Sequence, residues 1–258
     1  MNVIRRPRVY LVGRQATNEP EIERFLADHG VSHWQTDTSV AGEKLAEIAG
    51  RVCYMSFAKP RPGGNQAYVD RILSVKHGSV LEHAVWNFII TGVSRTFTHE
   101  LVRHRAGFGY SQLSQRYVDE STADFVEPDC VAEDAELHEI WRASVEQSQQ
   151  AYGKLVAGLE RRFGDVDDKT LRRKLARQAA RSVLPNATET KIFVTANSRA
   201  LRHFTELRCN EHAETEIRIV AAMMLEILQR EAPALFGDYE LVDLPDGTRA
   251  ARTEHLKV

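Results

Sequence analysis

Arg103, His104 and Arg105 stand in a row, and Arg116 follows after a turn that carries Ser111, Gln112, Ser114 and Gln115. Cations packed this closely repel one another unless an anion offsets them. A guanidinium fork suits the oxygens of phosphate or carboxylate. With Ser94 as N-cap of a helix running to about Arg105, residues Glu100, Arg103 and His104 fall at i, i+3 and i+4 and share one face. The carboxylate there offers an acceptor to a base or sugar edge while the arginines hold phosphate, and the serines and glutamines add neutral donors and acceptors. This is the equipment of a nucleotide site. A solvated, arginine-rich helix end followed by a polar loop uses the same residues, and composition alone does not separate the two readings.

Other chemistries fit the residues less well. His99 and His104 mimic a zinc-protease motif, but they are five apart, about 140° around a helix, and stand among arginines that repel a divalent cation. No metal site is therefore expected. Neither a dinucleotide-binding G-x-G-x-x-G after a strand nor a phosphate-binding P-loop is written in the chain. Ser114 has no base partner in the sequence, so it reads as a ligand and not as a nucleophile. Cys209, beside Arg208, reads as a buried structural thiol. His83 reads as a core histidine on a strand.

The elements that must position these residues alternate without a βαβ rhythm, which predicts an α+β fold with a mixed or antiparallel sheet flanked by helices. Strands are expected at Arg8–Gly13, His83–Thr91 and Glu189–Ala196. Helices are expected from Glu19 to a stop at Gly30, over Val40–Val52, and from Gln66 to His77 with Gly78 as its stop. A loop is expected at Lys59–Gly64. A glycine turn at Ala106–Tyr110 leads into a polar stretch. A long helical region covers Glu133–Phe163, and Asp168 caps a helix to about Arg181. Asn197 or Ser198 caps another to about Arg208. The helix from about Thr215 to Arg230 places Ile217, Val220, Ala221, Met224, Leu225 and Leu228 on one core-facing stripe. One domain over residues 1–258 is expected; the segment Phe125–Val131 is the best candidate for any boundary.

The 258 residues suffice for a substantial core, and 43% hydrophobic with 27% charged residues is an ordinary globular composition. Lysine and arginine number 34 against 36 acidic residues. That near balance argues against general nucleic-acid binding, whose proteins carry a basic excess. No run of about 18 apolar residues is present, so no membrane partner is expected. Three cysteines lie far apart without a CxxC pair, as in a reducing compartment, and a cytoplasmic location is expected.

Arg103-His104-Arg105, a spacer, and then Ser114-Gln115-Arg116-Tyr117 resemble the signature of flavin-dependent thymidylate synthases. The spacer is eight residues here (Ala106–Leu113), one longer than is usual in the family, and Gln112 stands where many members carry glutamate. His77-Gly78-Ser79-Val80-Leu81-Glu82-His83 is similar to the family's upstream histidine-rich segment. Arg181-Ser182-Val183-Leu184-Pro185 is similar to its dUMP-binding arginine segment. Asn197-Ser198-Arg199, His203, Arg208 and His212 resemble its C-terminal block in order and spacing. The resemblance runs from about Arg51 to Pro233.

The resemblance implies reductive methylation of dUMP to dTMP, with FAD as cofactor, 5,10-methylenetetrahydrofolate as carbon donor and NADPH as reductant. It implies that Ser79, Arg103, His104, Arg105, Gln112, Asn197, Ser198, Arg199 and His203 hold FAD. Glu100, Leu101, Val102, Arg103, Gln112, Leu113, Ser114, Gln115, Arg116, Arg181 and Arg208 would surround dUMP. Arg208, beside the uracil, would be the catalytic cation, stabilising charge that develops on the ring. It further implies a homo-oligomer, a tetramer with active sites shared between subunits. Two rival readings are a nucleic-acid-binding module that uses Arg103–Arg116 as a phosphate clamp, and a flavoprotein with a different acceptor.

Overall fold

Val85–Ser94 alternates inward and outward along its length, with Trp86, Phe88 and Ile90 buried. A chain segment with period two and branched or aromatic side chains packs as a pleated strand with one covered face. The computed structural model describes residues 1–59 and 62–258, so Pro60 and Arg61 of the expected Lys59–Gly64 loop lie outside the described residues. In chain order the elements are β1 (Val3–Ile4), β2 (Arg8–Arg14), α1 (Glu19–Asp28), α2 (Ala41–Tyr54) and α3 (Gly64–Ser74). A 3-10 turn (Gly78–His83) precedes β3 (Val85–Ser94), α4 (Arg95–Leu101), β4 (Phe108–Gln112), β5 (Phe125–Val126) and α5 (Asp129–Ala132). Then come α6 (Ala135–Arg162), α7 (Lys169–Ala180), a second 3-10 turn (Arg181–Val183), β6 (Glu189–Asn197), α8 (Ser198–Arg208) and α9 (Thr215–Glu231). α10 (Pro233–Phe236), β7 (Glu240–Asp243) and β8 (Arg249–Arg252) complete the chain.

The class is α+β, with an antiparallel sheet flanked by helices. The larger sheet has the order β2-β3-β6-β4, while β1 pairs parallel with β5 and β7 antiparallel with β8. The chain divides into two units. The first holds Met1–Arg8, Ile90–Arg103 and Tyr110–Phe193; the second holds Val9–Ile89, His104–Gly109 and Val194–Val258. The expected boundary segment Phe125–Val131 falls inside the first unit, where Phe125 is wholly buried and Val126 pairs with Ile4.

In the first unit, α6 packs along α7, and Phe97, Leu101, Phe125, Val145, Tyr152, Ala176 and Ala180 form the interior. Asp168 caps α7 by accepting from Thr170 and Leu171 amides, as its sequence position predicts. In the second unit, α8 packs against the 3-10 turn, α9 and β8. The α9 stripe of Ile217, Val220, Ala221, Met224, Leu225 and Leu228 is buried as expected. Arg202 is the largest side chain closed off from solvent there; its guanidinium bonds both oxygens of Asp238 at 2.6 and 2.7 Å and lies 4.6 Å from the Tyr239 ring.

Three helix ends depart from the sequence expectation or refine it. Gly30, at φ 67°, does end α1: Val31 reaches back to Leu26 and Gly30 to Ala27. Gly78 does not end α3. That helix stops at Ser74, and Lys76 takes the left-handed position at φ 59° while His77 bonds Ile72. Gly78 instead opens the 3-10 turn, and His83 is exposed at its end, not a core residue on a strand.

α4 also ends early, at Leu101 and not near Arg105. The Leu101 carbonyl accepts the Tyr110 hydroxyl at 3.0 Å, so a side chain replaces the helical amide that a continued turn would supply. Arg103 and His104 lie beyond this end. The shared helical face expected for Glu100, Arg103 and His104 does not form.

Candidate active site

The sequence-predicted site residues fall into two groups, one in each unit. Glu100, Leu101, Val102, Arg103, Gln112, Leu113, Ser114, Gln115, Arg116 and Arg181 belong to the first unit. Ser79, His104, Arg105, Asn197, Ser198, Arg199, His203 and Arg208 belong to the second.

In the first unit the polar stretch after β4 is held to its neighbours at both ends. Leu113 donates its amide to the Lys191 carbonyl at 2.9 Å, extending the pairing with β6. The Gln112 amide nitrogen lies 3.2 Å from Thr98 Oγ1 on α4 and 3.3 Å from Thr190 Oγ1 on β6, which fixes this side chain between two elements. Beyond it the chain turns: the Ser114 carbonyl accepts from Tyr117 and Val118 amides, and Ser114 Oγ accepts weakly from the Arg116 amide at 3.4 Å. From α7, Arg177 donates to the Tyr117 carbonyl at 2.6 Å and to Asp119, and the Lys174 ammonium lies 5.2 Å from the Tyr117 ring. The hydrogen bond from Lys174 lowers the Tyr117 phenol below its ordinary pKa. Gln115 is buried, and its amide nitrogen and the Nε of Arg116 make no hydrogen bond among the described residues. Leu101 is wholly buried, whereas Val102 and Arg103 are exposed.

Arg181 opens the 3-10 turn after α7 and is exposed. It lies close enough to Arg95 that burial first, and repulsion from Arg181 in addition, lower the Arg95 pKa, partly opposed by Glu120. Sequence reasoning missed Arg95, Lys174 and Arg177. A lone arginine just after the Ser94 cap carries no spacing signal; only an arginine ending a buried apolar strand could have marked it. Burial, more than the nearby Glu189, raises Glu120 to about 7, and Arg95 opposes the rise.

In the second unit, α8 presents its block from a capped start. Asn197 Oδ1 accepts the Ala200 amide at 2.9 Å, so Asn197 and not Ser198 is the N-cap. Ser198 is wholly buried: its amide donates to the Ala84 carbonyl and its hydroxyl to the Leu81 carbonyl, tying α8 to the Ser79 turn. Arg199 bonds Glu82 at 2.6 Å and the Val258 carbonyl at 3.2 Å. Ser79, Arg105 and His203 are exposed. His104 is 7% exposed, packed edge-on against Phe204 at 5.1 Å and near His203 at 6.0 Å. Arg208, the last residue of α8, donates its Nε–H to His104 Nε2 at 2.9 Å. Cys209, next to it, is buried, and burial pushes its thiol up to about 11; it is a structural residue, as the sequence suggested.

Comparison with known proteins decides the family. Residues 36–234 match the family described as "Thymidylate synthase complementing protein". The chain belongs to that family, the flavin-dependent thymidylate synthases. It is 51% identical over 229 residues to the flavin-dependent thymidylate synthase of Mycobacterium avium (strain 104), covering 88% of this chain and 90% of the relative. It is 52% identical over 220 residues to the same-named protein of Mycolicibacterium vanbaalenii, covering 84% and 87%. A crystal structure of a UMP/dUMP methylase PolB from Streptomyces cacaoi, bound with 5-Br dUMP, shares the fold at a TM-score of 0.65 with 20% identity, over 92% of this chain and 96% of that one.

Proposed function

We propose that this chain methylates dUMP at C5 to give dTMP, with FAD as the flavin, 5,10-methylenetetrahydrofolate as carbon donor and NADPH as reductant. The observation that carries the proposal is the half-buried Arg208–His104 bond at the end of α8, which holds a permanent cation in the block that matches the family. The donor set of the second unit suits FAD. Exposed Ser79, Arg105 and His203 supply hydroxyl, guanidinium and imidazole groups, and His104, Asn197, Ser198 and Arg199 complete that unit's share; Arg103 and Gln112, of the first unit, belong to the same proposed set. Bound and reduced, the flavin supplies methylene transfer and reducing equivalents.

The chain's own residues do the rest. Arg181 and Arg116 neutralise the dUMP phosphate, assisted by Arg95, whose proximity to Arg181 is costly without an anion. Glu100, Leu101, Val102, Arg103, Gln112, Leu113, Ser114 and Gln115 surround the nucleotide. Arg208 holds positive charge beside the uracil, where it stabilises the negative charge that must develop on the ring before C5 can attack as a nucleophile. Ser114, whose hydroxyl accepts a main-chain amide, binds and does not attack. The assembly is a homotetramer of cytoplasmic chains in which one copy completes the site of another. No described helix is long and apolar enough to cross a membrane.

The test is dTMP formation from dUMP by the purified protein with FAD, methylenetetrahydrofolate and NADPH, leaving out one component at a time. Product that depends on every component supports the proposal. A protein that binds FAD but makes no dTMP points to a flavoprotein with another acceptor; one that binds no flavin but binds polynucleotide with steep salt dependence points to a phosphate clamp.

A further inference from the structure

Gln112 ends β4 with its side chain already engaged. Its amide nitrogen lies 3.2 Å from Thr98 Oγ1 and 3.3 Å from Thr190 Oγ1. Both threonines are closed off from solvent, at 3% and 0% exposed, and all three residues belong to the first unit. A side-chain amide has one end that only donates and one that only accepts. The protons settle which end meets the threonines. A hydroxyl has one proton to give, and that of Thr98 goes to the Arg95 carbonyl at 2.9 Å. Toward Gln112, Thr98 therefore has only lone pairs, and the NH2 end must face it. Each amide N–H then has a threonine oxygen, and the carbonyl oxygen is the end left for a ligand.

We propose that Thr98 and Thr190 are positioning residues for Gln112: they hold its amide in one orientation, so that it meets the bound nucleotide as a hydrogen-bond acceptor. An acceptor serves an N–H or O–H donor and repels the oxygens of a phosphate dianion. In dUMP the donors are the ring N3–H and the sugar hydroxyl, so Gln112 reads base or sugar while Arg116 and Arg181 take the phosphate. An unheld glutamine would present either end and would lose side-chain freedom on binding; one held beforehand has already lost it in folding.

The same arrangement accounts for an amide where many members of the family carry glutamate. A carboxylate has no N–H to give, and Thr98 has no proton to offer it. The inference rests on the reading of Gln112 as a dUMP ligand and adds the two residues that act through it.

The experiment is calorimetric titration of dUMP into the FAD-loaded protein, with thermal unfolding recorded for each variant. Thr98→Val with Thr190→Val, which keeps shape and removes both acceptors, is expected to weaken dUMP binding about tenfold, the scale of one hydrogen bond. Thr98→Ser keeps the hydroxyl and should stay within about twofold of wild type. The deciding arm is the cycle with Gln112→Ala. In that background the paired valines should change affinity by less than about twofold, because the residue they act through is gone. An equal loss with and without Gln112 makes the threonines structural and overturns the inference. Valines that lower the melting temperature but leave dUMP affinity unchanged overturn it too. If the paired variant fails to fold, Thr98→Val alone, expected to weaken binding about threefold, is carried round the same cycle. Titration with 2′,3′-dideoxyuridine monophosphate, which lacks the sugar hydroxyl, then assigns the donor. A threonine effect that persists points to the ring N–H and one that vanishes to the hydroxyl, both in keeping with an acceptor at Gln112. FAD-loaded wild type that binds no dUMP defeats the proposed function, and this inference falls with it; wild type that binds dUMP while the cycle is additive defeats the inference alone.

Discussion

Asn197 and Gly107 form one joint: the Asn197 amide donates to the Gly107 carbonyl at 3.1 Å, while the Asn197 side chain caps α8. Gly107 sits at φ 73°, and a Cβ there would lie 2.7 Å from Asn197 Nδ2 and 2.8 Å from Ala200 Cβ. The turn that carries His104 and Arg105 is thereby pinned to the start of the helix that carries Arg208. Gly107→Ala is expected to lose at least about 1 kcal/mol of stability from the left-handed backbone alone, with further loss from crowding. Denaturant unfolding measures the first effect, and FAD retention on gel filtration, expected to drop, measures the disturbance of the turn.

Arg208→Ala should lower dTMP formation by at least about 100-fold, the usual cost of removing a group that stabilises developing charge. FAD retention should persist, because the proposed flavin ligands do not include Arg208. Steady-state turnover and flavin absorbance on the same preparation check both halves.

Ser114→Ala should retain turnover within about tenfold of wild type. Its hydroxyl accepts one long hydrogen bond from the Arg116 amide, and one such bond contributes about 1 kcal/mol. Loss of all turnover with nucleotide binding intact would restore a nucleophilic role to the serine.

Glu120 should tie stability to pH. Burial raises its carboxyl from 4.5 to about 7, and Oε1 has no hydrogen-bond partner among the described residues. Below about pH 4.5 both folded and unfolded chains hold the proton, so its contribution is fully present. Between 4.5 and 7 the unfolded chain ionises while the folded one does not, and stability is lost as pH rises. Glu120→Gln removes this dependence. Urea unfolding at about pH 5 and about pH 8 should show the variant gaining on wild type at the higher pH; parallel behaviour would contradict the assignment.

Much of the fold was legible because its signals are local. The α9 stripe, the Asp168 and Asn197 caps and the Gly30 stop each depend on residues within a few positions. The failures have distant causes. α4 ends at Leu101 because Tyr110, nine residues on, takes its carbonyl. The β1–β5 pair joins Val3 to Phe125, a register that no periodicity of either dipeptide could announce. The β7–β8 hairpin went unread although its turn holds Asp246-Gly247, a recognised hairpin signal. The motif residues stood out by clustered charge; Arg95, Lys174 and Arg177 stand apart in sequence, and tertiary packing gives them their neighbours.

The flavin spectrum of the purified protein, recorded before and after adding dUMP, tests the account most directly. Yellow protein whose flavin absorbance shifts on adding the nucleotide is the predicted result. Protein that stays colourless with added FAD, or holds a flavin whose spectrum ignores dUMP, would contradict it.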